Sequence, residues 1–159
     1  MGSSKFNLIF DRTQADVDYA LMLESESIHA DENLRGAYNS SDRNRVGAAA
    51  NFLLDTLRGK GYTLAGSVKS DWKESDIVKA GDNANIIARL KDINGVLPQI
   101  SLEIPDNLDY LDWRKANAVE LVLSDMFENY DRFSDIWLWC GEGYVGYYFE
   151  EHRLDDWRE

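Results

Sequence analysis

The sequence predicts a mainly α-helical protein, a small bundle of three to four helices followed by a C-terminal aromatic β-hairpin. Two observations predict the helices: apolar residues recur at three- and four-residue steps over several long stretches, and only two prolines occur in 159 residues. A third observation predicts the hairpin, because near the C-terminus the pattern changes to a two-residue alternation.

Length and composition fit one domain. A chain of 159 residues can bury a substantial core, and 44% hydrophobic with 29% charged residues is usual for a globular protein. We interpret residues 1–5 as linker or start residues, 6–135 as the helical domain and 136–159 as the aromatic hairpin with an acidic tail.

The first helix is predicted within residues 11–30. Thr13 is expected to be its N-cap, and Asp16 follows three residues later, which is the spacing of a capping box. The expected apolar face is made of Val17, Ala20, Leu21 and Ile28.

The second helix is predicted within residues 39–62, with Ser40 or Ser41 as its N-cap. Small side chains at 47–50 would let another helix approach it closely. Its apolar stripe contains Val46, Ala49, Ala50, Leu53 and Leu57.

Two further helices are predicted at 80–97 and 112–134, each with apolar residues at helical spacing. Pro98 ends the former because proline lacks the N–H donor and disfavours helix in the preceding residue. Between the second and third helices, Ser70 is expected to cap a short helical turn that buries Trp72.

The aromatic segment near the C-terminus, residues 137–149, contains the residues that the sequence predicts as binding candidates. Trp137, Trp139 and Gly141 alternate with Leu138 and Cys140, which is the two-residue period of a strand. The segment contains three glycines. The segment is expected to dock on its own core, to contact another subunit, or to form a glycan platform. The interface candidates are Trp137, Trp139, Tyr144, Tyr147 and Tyr148.

Catalytic and metal-binding patterns are present only as fragments. Ser70 and Lys73 match the Ser-x-x-Lys spacing without the other motifs of that class, and Cys140 with His152 lacks a family signature. One cysteine and two histidines give no zinc spacing. We therefore predict a protein that is not an enzyme and has no metal ion or cofactor.

The formal net charge of −12 excludes ordinary nucleic-acid binding, because a duplex binder must neutralise phosphates. No apolar run is long enough to span a membrane. No signal peptide is recognisable, and a single cysteine suits the reducing cytoplasm. These features predict synthesis in a reducing cytoplasm, without nucleic-acid or membrane partners.

Several blocks of the chain resemble an uncharacterised family of phage and prophage proteins of Gram-positive gut bacteria. They are "FDRTQADVDYAL", "LRGAYNSSDRNRVGAAANFL", "VKSDWKESDI", "KANAVELVLSDM" and "WLWCGEGY", which together lie between residues 10 and 146. Family members occur among virion- and tail-associated genes, so the resemblance implies a virion-associated, non-enzymatic part. This chain departs from the family in Arg43, where an aliphatic residue is common, and in its C-terminal extension.

The same blocks also have a structural interpretation. Arg45 lies in the first turns of the second helix, where a cation is mildly unfavourable, so we expect it to have a tertiary partner. The partners considered are Asp11, Asp16 and Asp18, which would brace two helix starts by ion pairs. Tyr38 is expected to pack across the start of the second helix.

Two functions remain open at this stage. The first is a phage virion or tail structural or adhesion module that contacts phage structural proteins or a second copy of itself, with a host glycan as a further candidate. The second is an acidic phage-encoded inhibitor or nucleic-acid mimic that acts on a host protein in the cytoplasm. Carboxylates in rows on one face would favour the second.

Overall fold

The computed structural model describes residues 6–26, 34–97 and 102–141, with the side chains of the last range described as far as Ser134. These residues form four helices, α1 (Gln14–Ser25), α2 (Ser40–Gly59), α3 (Ala80–Val96) and α4 (Trp113–Gly141). The prediction of a helical bundle is confirmed, and the bounds of α3 agree with the predicted ones to one residue.

The prediction of a C-terminal β-hairpin is wrong, since the part of the chain that the structure describes contains no strand. The backbone of residues 135–141, where the first strand was expected, is the last part of α4. The two-residue alternation there covers only five residues. Phe133 and Trp137 continue the four-residue apolar step, and each residue added to an existing helix gains a backbone hydrogen bond without a new nucleation cost.

Two local predictions also need correction. The N-cap of α2 is Asn39, whose side chain accepts hydrogen bonds from the N–H groups of Ser41 and Asp42, and not one of the serines. Trp72 is buried as expected, but residues 70–73 around it are not helical. Asn44 of α2 binds both the N–H and the carbonyl of Trp72, and the Lys73 N–H donates to Asp76, so these backbone groups do not need helical hydrogen bonds.

Helices α2 and α4 run in the same direction. Arg45 on α2 binds Glu120 on α4, and seven residues further along Phe52 contacts Phe127, with 5.9 Å between the ring centroids. The offset between partners is 75 residues at both points, which requires a parallel arrangement.

Helix α3 runs parallel to α2 as well. Near their starts, Arg43 donates to the Asn83 side chain over 3.1 Å. Towards their ends, Arg58 of α2 and Arg89 of α3 both donate to backbone carbonyls of the same segment, residues 64–66. Between two parallel helices the chain must run back along the full length of a helix, which requires a long connector. The connectors here are residues 60–79 and 97–112.

The core lies between α2, α3 and α4. The predicted apolar residues of α2 and α3 are buried in it, and those of α4 are buried as far as Phe127, which confirms the helical spacing read from the sequence. Among the described residues, the largest fully buried apolar side chains are Phe127, Leu53, Leu54, Leu57, Leu90, Ile93, Leu97, Leu123 and Met126. Phe6, before α1, stacks on Phe127 with 5.4 Å between the ring centroids and so joins the N-terminal segment to the core.

The connector between α2 and α3 is held by side chains in place of a neighbouring strand. Asn51 donates to the Val68 carbonyl over 2.7 Å and accepts from the Val68 N–H over 2.8 Å. Asn44 binds the Trp72 backbone in the same two-way manner, at 2.9 and 2.6 Å. Two asparagines seven residues apart lie on one face of a helix, so each supplies the hydrogen bonds that a second strand would supply.

Gly47 lies between these two asparagines and allows the close approach. A Cβ atom at this position would overlap the Lys69 carbonyl oxygen and sit 3.0 Å from the Ser70 Cβ. The small residues at 47–50 were expected to admit another helix. At Gly47 they admit an extended segment instead.

Helix α1 differs from the other three because none of its residues is buried. Its start is fixed by a hydrogen bond of 3.1 Å from Trp113 Nε1 to Gln14 Oε1. Val17 and Ala20 of the predicted apolar face are half-buried. Leu21 was expected on the same face, but it is exposed.

Candidate functional site

The starts of all four helices lie at one end of the protein. Trp113 and Gln14 join α4 to α1, Arg43 and Asn83 join α2 to α3, and the Arg45–Glu120 contact joins α2 to α4. Each start directs unpaired backbone N–H groups and the positive end of a helix dipole towards this end.

Carboxylates and amides already satisfy part of these N–H groups. Thr13 and Asp16 form the predicted capping box of α1, which is confirmed. The hydrogen bonds from Thr13 lower the pKa of the Asp16 carboxyl. Asp112 caps α4 by accepting from the Lys115 N–H over 2.9 Å. These side chains therefore fix the first turns of α1 and α4.

Four charged side chains form a buried cluster between α2, α4 and the segment before α1: Arg12, Asp42, Arg45 and Glu120. Arg12 Nη2 lies 2.8 Å from both Asp42 Oδ1 and Glu120 Oε1. Arg45 binds Glu120 through two nitrogens, each at 3.0 Å, and also contacts Asp42. Two cations and two anions give the cluster a formal charge of zero, which is what burial of charge requires.

The cluster corrects the predicted partners of Arg45. A tertiary partner was expected and is present, but it is Glu120 together with Asp42. Asp11 instead binds the exposed Arg35 over 2.9 Å. The bracing of two helix starts by an ion pair is real, but it runs from Arg12, just before α1, to Asp42 in the first turn of α2.

The segment before α1 is also tied to α4 by hydrogen bonds of its backbone. The Ile9 N–H donates to Glu120 Oε2 over 2.6 Å. Asn117 accepts from the Arg12 N–H and donates to the Arg12 carbonyl, at 3.2 and 2.9 Å. Asn117 therefore both donates to and accepts from one backbone residue, as Asn51 of α2 does with Val68.

Tyr38 and Arg43 form a second, less buried group beside the cluster. The Tyr38 ring lies 5.6 Å from the guanidinium of Arg12 and 5.5 Å from that of Arg43. Arg43 in turn lies 5.4 Å from the Trp72 ring. Burial raises the pKa of the Tyr38 hydroxyl well above its usual value, so the ring stays neutral. Tyr38 thus packs at the start of α2 as predicted, with cations as its neighbours.

Two cavities open beside Arg43. One has a volume of about 570 Å³ and is lined by Arg12, Arg43 and Arg114 together with Tyr38 and Trp113. We call it the arginine cavity. The other, of about 880 Å³, is lined on one side by the start of α2 and on the other by Trp72 and the residues after it. Both volumes lie in the range of small-molecule sites.

Two of the interface candidates of the aromatic segment have a described backbone. The backbones of Trp137 and Trp139 belong to the last turns of α4. Their side chains, and the whole of Tyr144, Tyr147 and Tyr148, lie outside the described residues. Their role in binding stays a prediction.

Within the described residues, metal-binding groups and membrane-spanning helices are absent. No group of three or more His, Cys, Asp or Glu residues there could hold a metal ion. None of the helices there is sufficiently long and apolar to cross a membrane.

Comparison with known proteins adds no relative. No protein-family model matches the chain, and no curated protein or solved structure shows significant similarity to it. The resemblance to phage proteins therefore rests on the sequence blocks alone.

Glu120, Asn44 and Asn51 were not among the residues predicted to be important. Glu120 stands within the apolar run "AVELVL", and a lone carboxylate on a buried helix face indicates a buried cation elsewhere. Asn44, Asn51 and Arg58 recur every seven residues on α2, which places polar side chains along one line of the helix. Both signals are visible in the sequence, but neither identifies the partner.

Proposed function

We propose that this protein is a non-enzymatic interaction module that binds another protein through α1. The observation that carries the proposal is the exposure of apolar side chains on that helix: Tyr19 is 53% exposed, Leu21 57% and Met22 45%. Tyr19 and Met22 are three residues apart and so lie on the same side of α1. Exposed apolar side chains that the described chain leaves uncovered are typical of a helix that contacts a partner.

The charges on α1 indicate what kind of partner fits. The helix contains Asp16, Asp18 and Glu24, and no lysine or arginine. Two copies that met through α1 would bring these carboxylates together, which is unfavourable. The matching surface is therefore an apolar groove with a basic rim on a different protein.

The sequence blocks support a place for this module in a phage particle, as a structural or adhesion component next to other virion or tail proteins. The buried charge cluster suits a structural role, since each of its two carboxylates is shared by two guanidinium groups. Groups engaged in this way are not poised for proton transfer.

The alternative of an acidic decoy receives less support. Exposed carboxylates in the described chain occur on α1, on α2, in both connectors and on α4. A nucleic-acid mimic needs them concentrated in rows on one face, and only the connector before α4 carries a regular series. The four residues of that series are Glu103, Asp106, Asp109 and Asp112.

The test is incorporation into virions of the encoding phage. We expect the double change Leu21→Ser and Met22→Ser to reduce the copy number in purified particles at least about tenfold, because apolar anchors dominate such interfaces. Quantitative mass spectrometry of the particles gives the copy number, and circular dichroism confirms that the variant stays folded.

Ile77→Ser is the matched control. Ile77 is 83% exposed and lies outside α1, in the connector before α3. Its replacement should leave the copy number unchanged. Absence of the wild-type protein from virions, or equal losses for the α1 and Ile77 variants, would contradict the proposal.

A further inference from the structure

The arginine cavity contains every described arginine that lacks an ion pair. The structure describes eight arginines, and six of them pair with a carboxylate: Arg12, Arg35, Arg45, Arg58, Arg89 and Arg132. The other two are Arg43 and Arg114, and both line this cavity. In a protein with a net charge of −12, carboxylates are abundant. Within the described residues no carboxylate pairs with either guanidinium group, so both keep their positive charge.

Neutral groups hold these two side chains in place. Arg43 donates to the Asn83 amide over 3.1 Å and lies between the rings of Tyr38 and Trp72. Arg114 lies 5.0 Å from the Trp113 ring. An aromatic face attracts a guanidinium without neutralising its charge, so the donors stay available to a further acceptor.

Arg12 adds a third guanidinium group to the wall of the arginine cavity. Its side chain is almost completely buried, and it lines the same cavity. Its Nε–H is buried without a hydrogen-bond partner in the described chain. Such donors are rare in folded proteins because each one costs a lost hydrogen bond. The Nε atom itself is enclosed by the protein, as is the unpartnered Nε of Arg89 outside this cavity, so Arg12 contributes to the wall through its charge.

The surroundings of the cavity favour an anion. Three arginines and one aspartate, Asp112, line it. The first residues of α1 and α4, Gln14 and Trp113, belong to its wall, so two helix dipoles add positive potential. The Asp112 carboxylate is engaged as the N-cap of α4.

We propose that the arginine cavity binds a small organic anion through a carboxylate or phosphate group. Arg43 and Arg114 bind the anionic group, and the rings of Tyr38 and Trp113 contact the organic part. Guanidinium groups match both oxyanions because their paired N–H donors align with paired oxygens. The site is separate from the exposed apolar side chains of α1 that are proposed for docking, Tyr19, Leu21 and Met22.

The experiment uses three probes of similar size: glucuronate for the carboxylate, glucose 6-phosphate for the phosphate, and neutral glucose. Each is titrated into the full chain, and binding is followed by amide and arginine side-chain NMR shifts. We expect saturable shifts of the Arg43, Arg114 and Trp113 signals with one or both anions, and none with glucose. The anion that gives the lower Kd identifies the oxyanion that the site prefers.

Arg114→Gln and Arg43→Gln should each weaken binding at least about tenfold, since each removes charged hydrogen bonds. Arg114 is exposed, so its variant should fold even if the Arg43 variant does not. Arg132→Gln is the control, because it removes the same charge from the far part of α4 and should leave the Kd unchanged. No shift with either anion, equal shifts with glucose, or an unchanged Kd in Arg114→Gln would overturn the proposal. Failure here would leave virion incorporation through α1 unaffected.

Discussion

Replacing Glu120 with glutamine should lower the free energy of unfolding by about 3–5 kcal/mol, because it leaves two buried cations with one carboxylate. Glu120 is fully buried and accepts hydrogen bonds from Arg12, Arg45 and the Ile9 N–H. Glutamine has the same shape but carries no charge, so packing is retained while the electrostatic balance is lost. Urea denaturation followed by the helical circular dichroism signal measures the change.

Glu128→Gln is the matched control on the same helix. Glu128 is exposed, and its oxygen lies 3.9 Å from Arg132, so its removal should cost under about 1 kcal/mol. If Glu120→Gln does not fold, adding Arg45→Gln should restore part of the stability because it rebalances the charge. Equal effects of the Glu120 and Glu128 changes would show that the cluster does not stabilise the fold.

Gly47→Ala and Gly95→Ala should change stability in opposite directions, although both replace a helical glycine with alanine. At Gly47 the new Cβ overlaps the Lys69 carbonyl, so we expect a loss of about 1–3 kcal/mol. Nothing lies within 4 Å of a Cβ at Gly95, so the higher helix propensity of alanine should add up to about 1 kcal/mol.

Hydrogen exchange shows where the Gly47 variant is disturbed. The N–H groups of Val68 and Trp72 bind Asn51 and Asn44, and both should exchange faster if the connector is pushed off α2. A Gly47→Ala protein as stable as Gly95→Ala, with unchanged exchange at these two amides, would contradict the close approach described here.

The helices themselves were predictable because their signals are local. Thr13 and Asp16 identified the start of α1, and the apolar steps of α2 and α3 gave their faces and nearly their bounds. The end of α4 was misjudged because five alternating residues fit a strand as well as a helix when they are taken alone. Because these residues follow directly on a long helix, they continue it, and α4 extends past its predicted end at residue 134 to Gly141.

The partners at the candidate site were not predictable. Arg45 clearly needed an anion, but acidic residues are numerous, and the nearest in sequence were not the ones used. Glu120 is 75 residues away and becomes its neighbour only because α2 and α4 run in parallel. Likewise, an arginine without a carboxylate, such as Arg43, can be recognised only after every ion pair in its surroundings is known.

The parallel arrangement of α2, α3 and α4 also sets the order in which the protein can fold. Helix hairpins bring together residues close in sequence, whereas here the contacts at the helix starts join residues 40 and 75 positions apart. Closing such loops costs chain entropy before any contact repays it, and folding rates fall as contact order rises. For a helical protein of this size, we therefore expect the isolated helices to form quickly and their assembly to be the slow step.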